Sequence, residues 1–278
     1  MPLSPSPASP TSPTSLDYAL RLSPPGAQPA LGALRDWWNE IAGVTREVSD
    51  PAVAAAKLAW WRRELQSGWT GTPQHPRLLA LQQQAPYIGV DGLMAVIDAV
   101  ETQARQTRFL DESALLRWAG DHGGAALAAA GEILAKSVPS AGSLAPAGAV
   151  LGRACALVAA IRGLGRAAQS GRLLVPIEDL QHAGLRAHEL LARSPDLLQD
   201  ARYRAVMDRQ ATRARQHLAE ALPAVRAAAP RRLTRGLRVL GALHLALLDD
   251  LQRSGYPVLQ QHVMLSPVRR AWIAARTW

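Results

Sequence analysis

Hydrophobic positions recur at helical spacing in almost every segment of this chain, and no stretch alternates with the two-residue period of a strand. Leu31, Leu34, Trp37, Trp38, Ile41 and Val44 predict a helix from about Pro29 to Val48. Asp50 followed by Pro51 is a strong start signal for the next one, a capping carboxylate and then proline at the first helical position. Leu93, Val96, Ile97 and Val100 mark a helix over Val90 to Arg105, and Asp111 caps another through Leu115, Leu116 and Trp118. Small residues at Gly152, Ala154, Ala156, Ala159 and Ala160 predict a central helix that neighbours approach closely. It ends in a turn at Gly171 and Arg172, followed by an apolar run stopped by Pro176. Ser194 and Pro195 open a long helix through Leu222, a second spans Pro230 to Ser254, and Ser266-Pro267 opens a basic, Trp-bearing helix. The expectation is one all-α domain over residues 17–278. Residues 1–16, rich in Ser and Pro, bury too little to fold and read as a disordered tail.

Composition sharpens this picture. The chain has 278 residues, and Ala and Leu dominate an apolar share of 48%. Its net charge of +9 is carried by arginine, since Lys57 and Lys136 are the two lysines. Such a balance suits acidic partners, whether nucleic acid, anionic headgroups or diphosphates. Cys155 is the single cysteine, so no intrachain disulfide forms, and its small apolar neighbours predict a buried thiol. No Cys/His cluster has zinc spacing, and the histidines stand singly. The segment Ala141 to Leu164 comes nearest to a membrane span, but Arg153 and Arg162 interrupt it, and no secretory leader is evident. These features predict a cytoplasmic protein.

The candidate chemistry is basic. No carboxylate occurs between Glu132 and Glu178, and the polar content of the central helix and its turn is almost entirely Arg153, Arg162, Arg166 and Arg172. Acids gather on the first long helix instead, where Asp36, Glu40 and Glu47 share a face or form an ordinary solvated edge. Gly123 and Gly124 mark either a bend facing a cavity or a close helix contact.

The stretch Gly152 to Pro176 resembles the second signature of the squalene/phytoene synthases, the head-to-head prenyl transferases. Gly152, Ala154, Arg162, Gly171, Arg172 and Pro176 fall in step with it. Ala156 stands where that family has Gln, Ala159 where it has Asn, and Leu174 where it has Tyr. Gly163 and Ala167 occupy its two aspartate positions. On the first long helix, Ala42 and Gly43 stand about where its first paired aspartates lie. Trp60, Trp61 and Arg62, then His75 and Pro76, resemble one bacterial and mitochondrial branch, and the resemblance runs from Asp17 to Trp278.

The resemblance implies an isoprenoid-synthase-type helical bundle around a central cavity. In the family, aspartates bind Mg²⁺, which absorbs the charge of a departing diphosphate. Here no catalytic residue and no metal ligand is expected, and no cofactor. Arg162, Arg166 and Arg172 are the candidate diphosphate grip. Asp36, Glu40 and Glu47 are a residual acidic face. One reading is therefore a non-catalytic protein that binds a prenyl diphosphate or isoprenoid lipid. The same reading includes a role as an assembly factor with a protein partner, as a mitochondrial complex I assembly factor is among the family's degenerate members. The alternative is an active prenyl transferase with a shifted acidic site and Mg²⁺. Arg269, Arg270 and Arg276 beside Trp272 and Trp278 allow peripheral membrane contact. A nucleic-acid role rests on charge alone, with no recognised motif. The expected outcome is no salt-dependent mobility shift with DNA or RNA; a clear shift would reinstate that class.

Overall fold

The computed structural model describes residues 14–48, 50–138 and 142–277. Most of the expected tail, residues 1–13, lies outside these, as do Trp278 and part of the loop before the central helix. Ordered helix begins earlier than the sequence suggests. Thr14 closes a capping box with Asp17, so α1 runs Ser15–Arg21.

The helices follow in chain order: α2 Gln28–Glu47, α3 Pro51–Gly68, α4 Pro76–Gln84, α5 Val90–Arg105, α6 Glu112–Ala119 and α7 Ala125–Lys136. Then come α8 Ala145–Gln169, α9 Ile177–His182, α10 Ala187–Ala192, α11 Ala201–Ala228, α12 Arg231–Arg253 and α13 Pro267–Arg276. Their starts obey the capping chemistry read from the sequence. Asp50 accepts from the Ala52 amide at 2.7 Å, and Asp111 accepts from Ala114 at 2.8 Å. Ser266 accepts from Arg269 at 3.2 Å.

Two local expectations need correction, and one open alternative is decided. Ser194 and Pro195 open only a 3₁₀ turn, Pro195–Gln199. The long helix α11 starts anew at Ala201, because extended Asp200 caps the Arg202 amide and also holds its guanidinium. The apolar run after Arg172 is a strand, β2 Leu173–Pro176, paired in parallel with β1 Arg108–Phe109. It is too short for any periodicity to announce it. For Gly123 and Gly124 the structure shows the close helix contact. They lie in a π-helical turn, Gly120–Gly124, that presses on α8.

That contact explains the small residues of α8. A Cβ on Gly152 would stand 2.0 Å from the Gly123 carbonyl oxygen, and one on Gly123 would stand 2.3 Å from the Gly152 oxygen. The two backbones touch. On its other sides α8 meets α11 and α12, burying Leu151, Val158, Ala154 and Leu164 completely. Cys155 is buried and its thiol is raised well above the ordinary range by burial, as expected for an inert packed cysteine. By length and composition α8 alone among the described residues could cross a membrane, yet 67% of its most apolar window is buried within the bundle.

Gly152→Ala is expected to destabilise the protein by about 2–3 kcal/mol, since two backbones must part to admit one methyl. Gly163→Ala, where the nearest neighbour to a new Cβ is Leu174 Cδ1 at 3.9 Å, should be neutral or mildly stabilising. Urea midpoints of the two variants check this pair, and equal effects would contradict the packing argument.

Candidate anion-binding pocket

One pocket of about 190 Å³ opens between α2, α5, α6 and the C-terminal half of α8. Ala42, Thr45 and Arg46 come from one face of α2, and Ala159, Arg162, Gly163, Arg166 and Ala167 from one face of α8. These sets recur at three- and four-residue spacing, so each lines a single helical stripe. Arg172 arrives through a Schellman turn. Gly171, at φ 69°, lets its own amide bond the Ala168 oxygen and the Arg172 amide bond the Ala167 oxygen. Arg172 then donates to the Thr45 carbonyl at 2.5 Å, tying the end of α8 to α2.

His122 enters from the π turn, whose extra residue re-aims it at the pocket. Its ring stacks on Trp118 at 5.3 Å and meets Trp38 edge-on at 5.6 Å. His262 enters from a strap over residues 257–265. Tyr256, left-handed at φ 54°, anchors that strap by donating to Asp208 at 2.6 Å and accepting from Tyr203 at 2.7 Å. Arg193 donates to the Leu259 oxygen at 2.9 Å. Gly165 lets the strap lie directly on α8, since a Cβ there would stand 2.1 Å from the Val258 oxygen.

No acidic side chain lines this pocket. Arg46, Arg162, Arg166 and Arg172 pair with no carboxylate among the described residues, and Arg172 Nε is buried without a partner. Burial holds Arg162 below the ordinary arginine range, and the charges of Arg166 and Arg270 push it further. Arg46 is lowered by burial and by Arg166, with Glu47 opposing, and Arg172 by burial alone. His262 is depressed by burial and then by Arg162 and Arg166. Burial with the charge of Arg46 pushes His122 down to about 4. The chemistry on offer is a concentrated positive field with hydrogen-bond donors.

The sequence candidates thus separate. Arg162, Arg166 and Arg172 share the pocket, together with Ala42, Ala159, Gly163, Ala167 and Leu174. Glu40 and Glu47 line a different pocket with Lys57, Trp60, Trp61 and His75. Glu40 is held by Arg77 at 2.9 Å, and Asp36 by Arg35 at 2.7 Å. Arg46 was legible as the next turn after Ala42, whereas His122 and His262 carry no sequence signal. A hard Mg²⁺ ion wants several oxygen ligands. The arginine-rich lining does not fit it, and no group of three His, Cys, Asp or Glu side chains converges among the described residues.

The family model described as squalene/phytoene synthase matches residues 11–269. The chain belongs to the squalene/phytoene synthase family. Solved structures agree in fold. A dehydrosqualene synthase in complex with ligand superposes with a TM-score of 0.80 at 15% identity, covering 95% of this chain and 90% of that one. Squalene synthase HpnC from Alicyclobacillus acidocaldarius gives 0.73 at 18%, covering 86% and 88%. YisP from Bacillus subtilis subsp. subtilis strain 168 gives 0.68 at 17%, covering 94% and 89%. No curated protein matches the chain in sequence. Gly163 and Ala167 on α8 and Ala42 on α2 line the arginine pocket together.

The pocket also sets a pH dependence. His122 sits at about 4 in the folded chain against 6.5 as the ordinary value. The unfolded chain therefore binds more protons between those values, and stability falls as pH drops through that window. Urea midpoints from pH 7 to 4.5 should fall more steeply for the native protein than for His122→Gln. Parallel profiles would remove His122 as a buried neutral base.

Proposed function

We propose that this family member binds the diphosphate of a prenyl diphosphate, or the anionic head of an isoprenoid lipid, directly through arginine and does not catalyse prenyl transfer. The observation that carries the reading is the pocket lining itself. Ala42, Gly163 and Ala167, the residues whose place in the sequence resembles that of the family's aspartates, line it beside Arg46, Arg162, Arg166 and Arg172, and none of those three can ligate a metal. Guanidinium groups pair with phosphate oxygens in bidentate fashion and supply the compensating charge that the site lacks. The pocket is smaller than a typical small-molecule site of roughly 300–1,000 Å³, in keeping with head-group recognition. The apolar pocket between α1, α2, α7 and α12 holds about 40 Å³, too little for a prenyl chain. In this reading the protein acts in the cytoplasm or at a membrane surface, delivering or sensing its ligand or presenting it to a protein partner.

Ionising an allylic diphosphate without a metal clamp is slow. If the lost charge stabilisation is worth about 4 kcal/mol, the rate falls roughly 1,000-fold. Incubation with farnesyl or geranylgeranyl diphosphate and Mg²⁺ should release no diphosphate. EDTA-sensitive release would instead establish an active transferase with a shifted acidic site, for which Glu40 and Glu47 in their shared pocket are the candidates.

Binding should persist without metal. Calorimetric titration with farnesyl diphosphate in EDTA is expected to show roughly tenfold weaker affinity in Arg166→Gln, an exposed residue whose loss leaves the fold intact. Arg162→Ala with Arg172→Ala should lose about 100-fold or more. Because a bound anion raises the depressed His262, affinity should increase from pH 8 to pH 6. Binding that requires Mg²⁺, or variants that bind as the native protein does, would defeat the direct grip.

A further inference from the structure

We infer that α13 and the adjoining ends of α11 and α12 form a docking face for an anionic phospholipid bilayer. The helix turns one face inward, where Arg270, Ile273 and Ala274 are buried and Arg269 is ion-paired with Asp250 of α12. Its other face is apolar and open to solvent. Val268 is 80% exposed and Trp272, one turn later, 56%. Met264, in the strap just before the helix, is 58% exposed. These large apolar side chains cover nothing in the protein.

The charge beside them selects the occupant. Arg276 lies over the Trp272 ring, with its guanidinium carbon 4.7 Å from the centroid, and joins Arg226 and Arg238 around a groove of about 340 Å³. Asp249 is the single acid in that lining, and Arg215 holds it at 2.8 Å. Arg226 and Arg231 press on Arg238, which is lowered by burial and then by those two charges. An array of mutually repelling cations beside an exposed indole and aliphatic side chains matches a leaflet surface. The apolar groups enter the headgroup boundary and the guanidiniums meet lipid phosphates. A protein surface that is merely hydrophobic would leave these charges unmatched.

Sedimentation of the full chain with extruded vesicles tests this. Binding to phosphatidylcholine vesicles containing phosphatidylglycerol is expected, with little binding to phosphatidylcholine alone and release as salt rises. Val268→Ser with Trp272→Ala should weaken partitioning roughly tenfold or more. Arg226→Gln, Arg238→Gln and Arg276→Gln together should weaken it roughly 100-fold. Val268, Trp272, Arg226 and Arg276 are exposed and Arg238 is half-buried, so unchanged thermal midpoints confirm that the variants fold. No binding to the anionic vesicles, equal binding to both compositions, or native-like binding by either variant would overturn the proposal. The vesicles contain no prenyl diphosphate, so the result is independent of the arginine pocket on α8.

Discussion

The backbone contact between Gly123 and Gly152 governs much of the remaining structure. It brings the π turn against α8 at a distance that excludes even a methyl group. To make that approach, the segment between α6 and α7 loosens from α-helical to π-helical winding. The looser turn is what carries His122 toward the pocket rather than along the α6 face. Downstream, Gly165 lets the strap from Tyr256 lie equally close, so α8 is gripped at two points more than three turns apart. The stripe of Ala159, Gly163 and Ala167 beside these contacts faces the pocket. Dense packing therefore decides where the site can be, before any charged residue decides what it holds.

Two partly buried arginines on neighbouring helices show how unusual the pocket is. Arg213 on α11 is opposed by burial but raised overall, because Glu112 at 2.8 Å and Asp179 at 3.0 Å accept from it. Asp179 is itself 2% exposed and also accepts from Gln210 at 2.6 Å. In that network two carboxylates answer the buried charge through the terminal nitrogens of Arg213, although its Nε has no partner. Arg162 on α8 is lowered, because burial is joined by further positive charge and no carboxylate answers it. The same chain thus sets two carboxylates against one buried arginine and leaves another to repel its neighbours. In the proposed reading, an anion from outside would remove that penalty.

Much of this was legible in the sequence, for reasons that differ by element. Helix starts at Asp50, Asp111 and Ser266 rest on local hydrogen bonds, which residue identity alone specifies. The Gly171 turn needs a positive φ and advertises it. The long helix after Ser194 was misread because a second cap at Asp200, six residues on, wins the competition. The parallel pair β1 and β2 was invisible, since a ladder between residues 108 and 173 is a long-range event carried by very few residues. Arg162, Arg166 and Arg172 could be grouped along one helix and its turn. The contributions of His122 and His262 depend on where a π turn and a strap place them, which no local pattern encodes.

The acidic face of α2 tests how firmly the charge of the pocket is fixed. Glu40 and Glu47 lie on the same helix as Ala42, Thr45 and Arg46, but around its circumference from them. Each residue advances an α-helix by about 100°. Bringing a carboxylate of this helix into the arginine pocket would take a rotation of that order. Trp37 and Ile41, both 0% exposed, anchor α2 in the core. Turning them out would forfeit roughly 2–3 kcal/mol each in burial alone. It would also break the bond from Arg172 to the Thr45 carbonyl and the ion pair of Glu40 with Arg77. The helix is therefore held with Glu40 turned toward Arg77 and away from the arginine pocket, while Glu47 stays near enough to Arg46 to oppose its lowering.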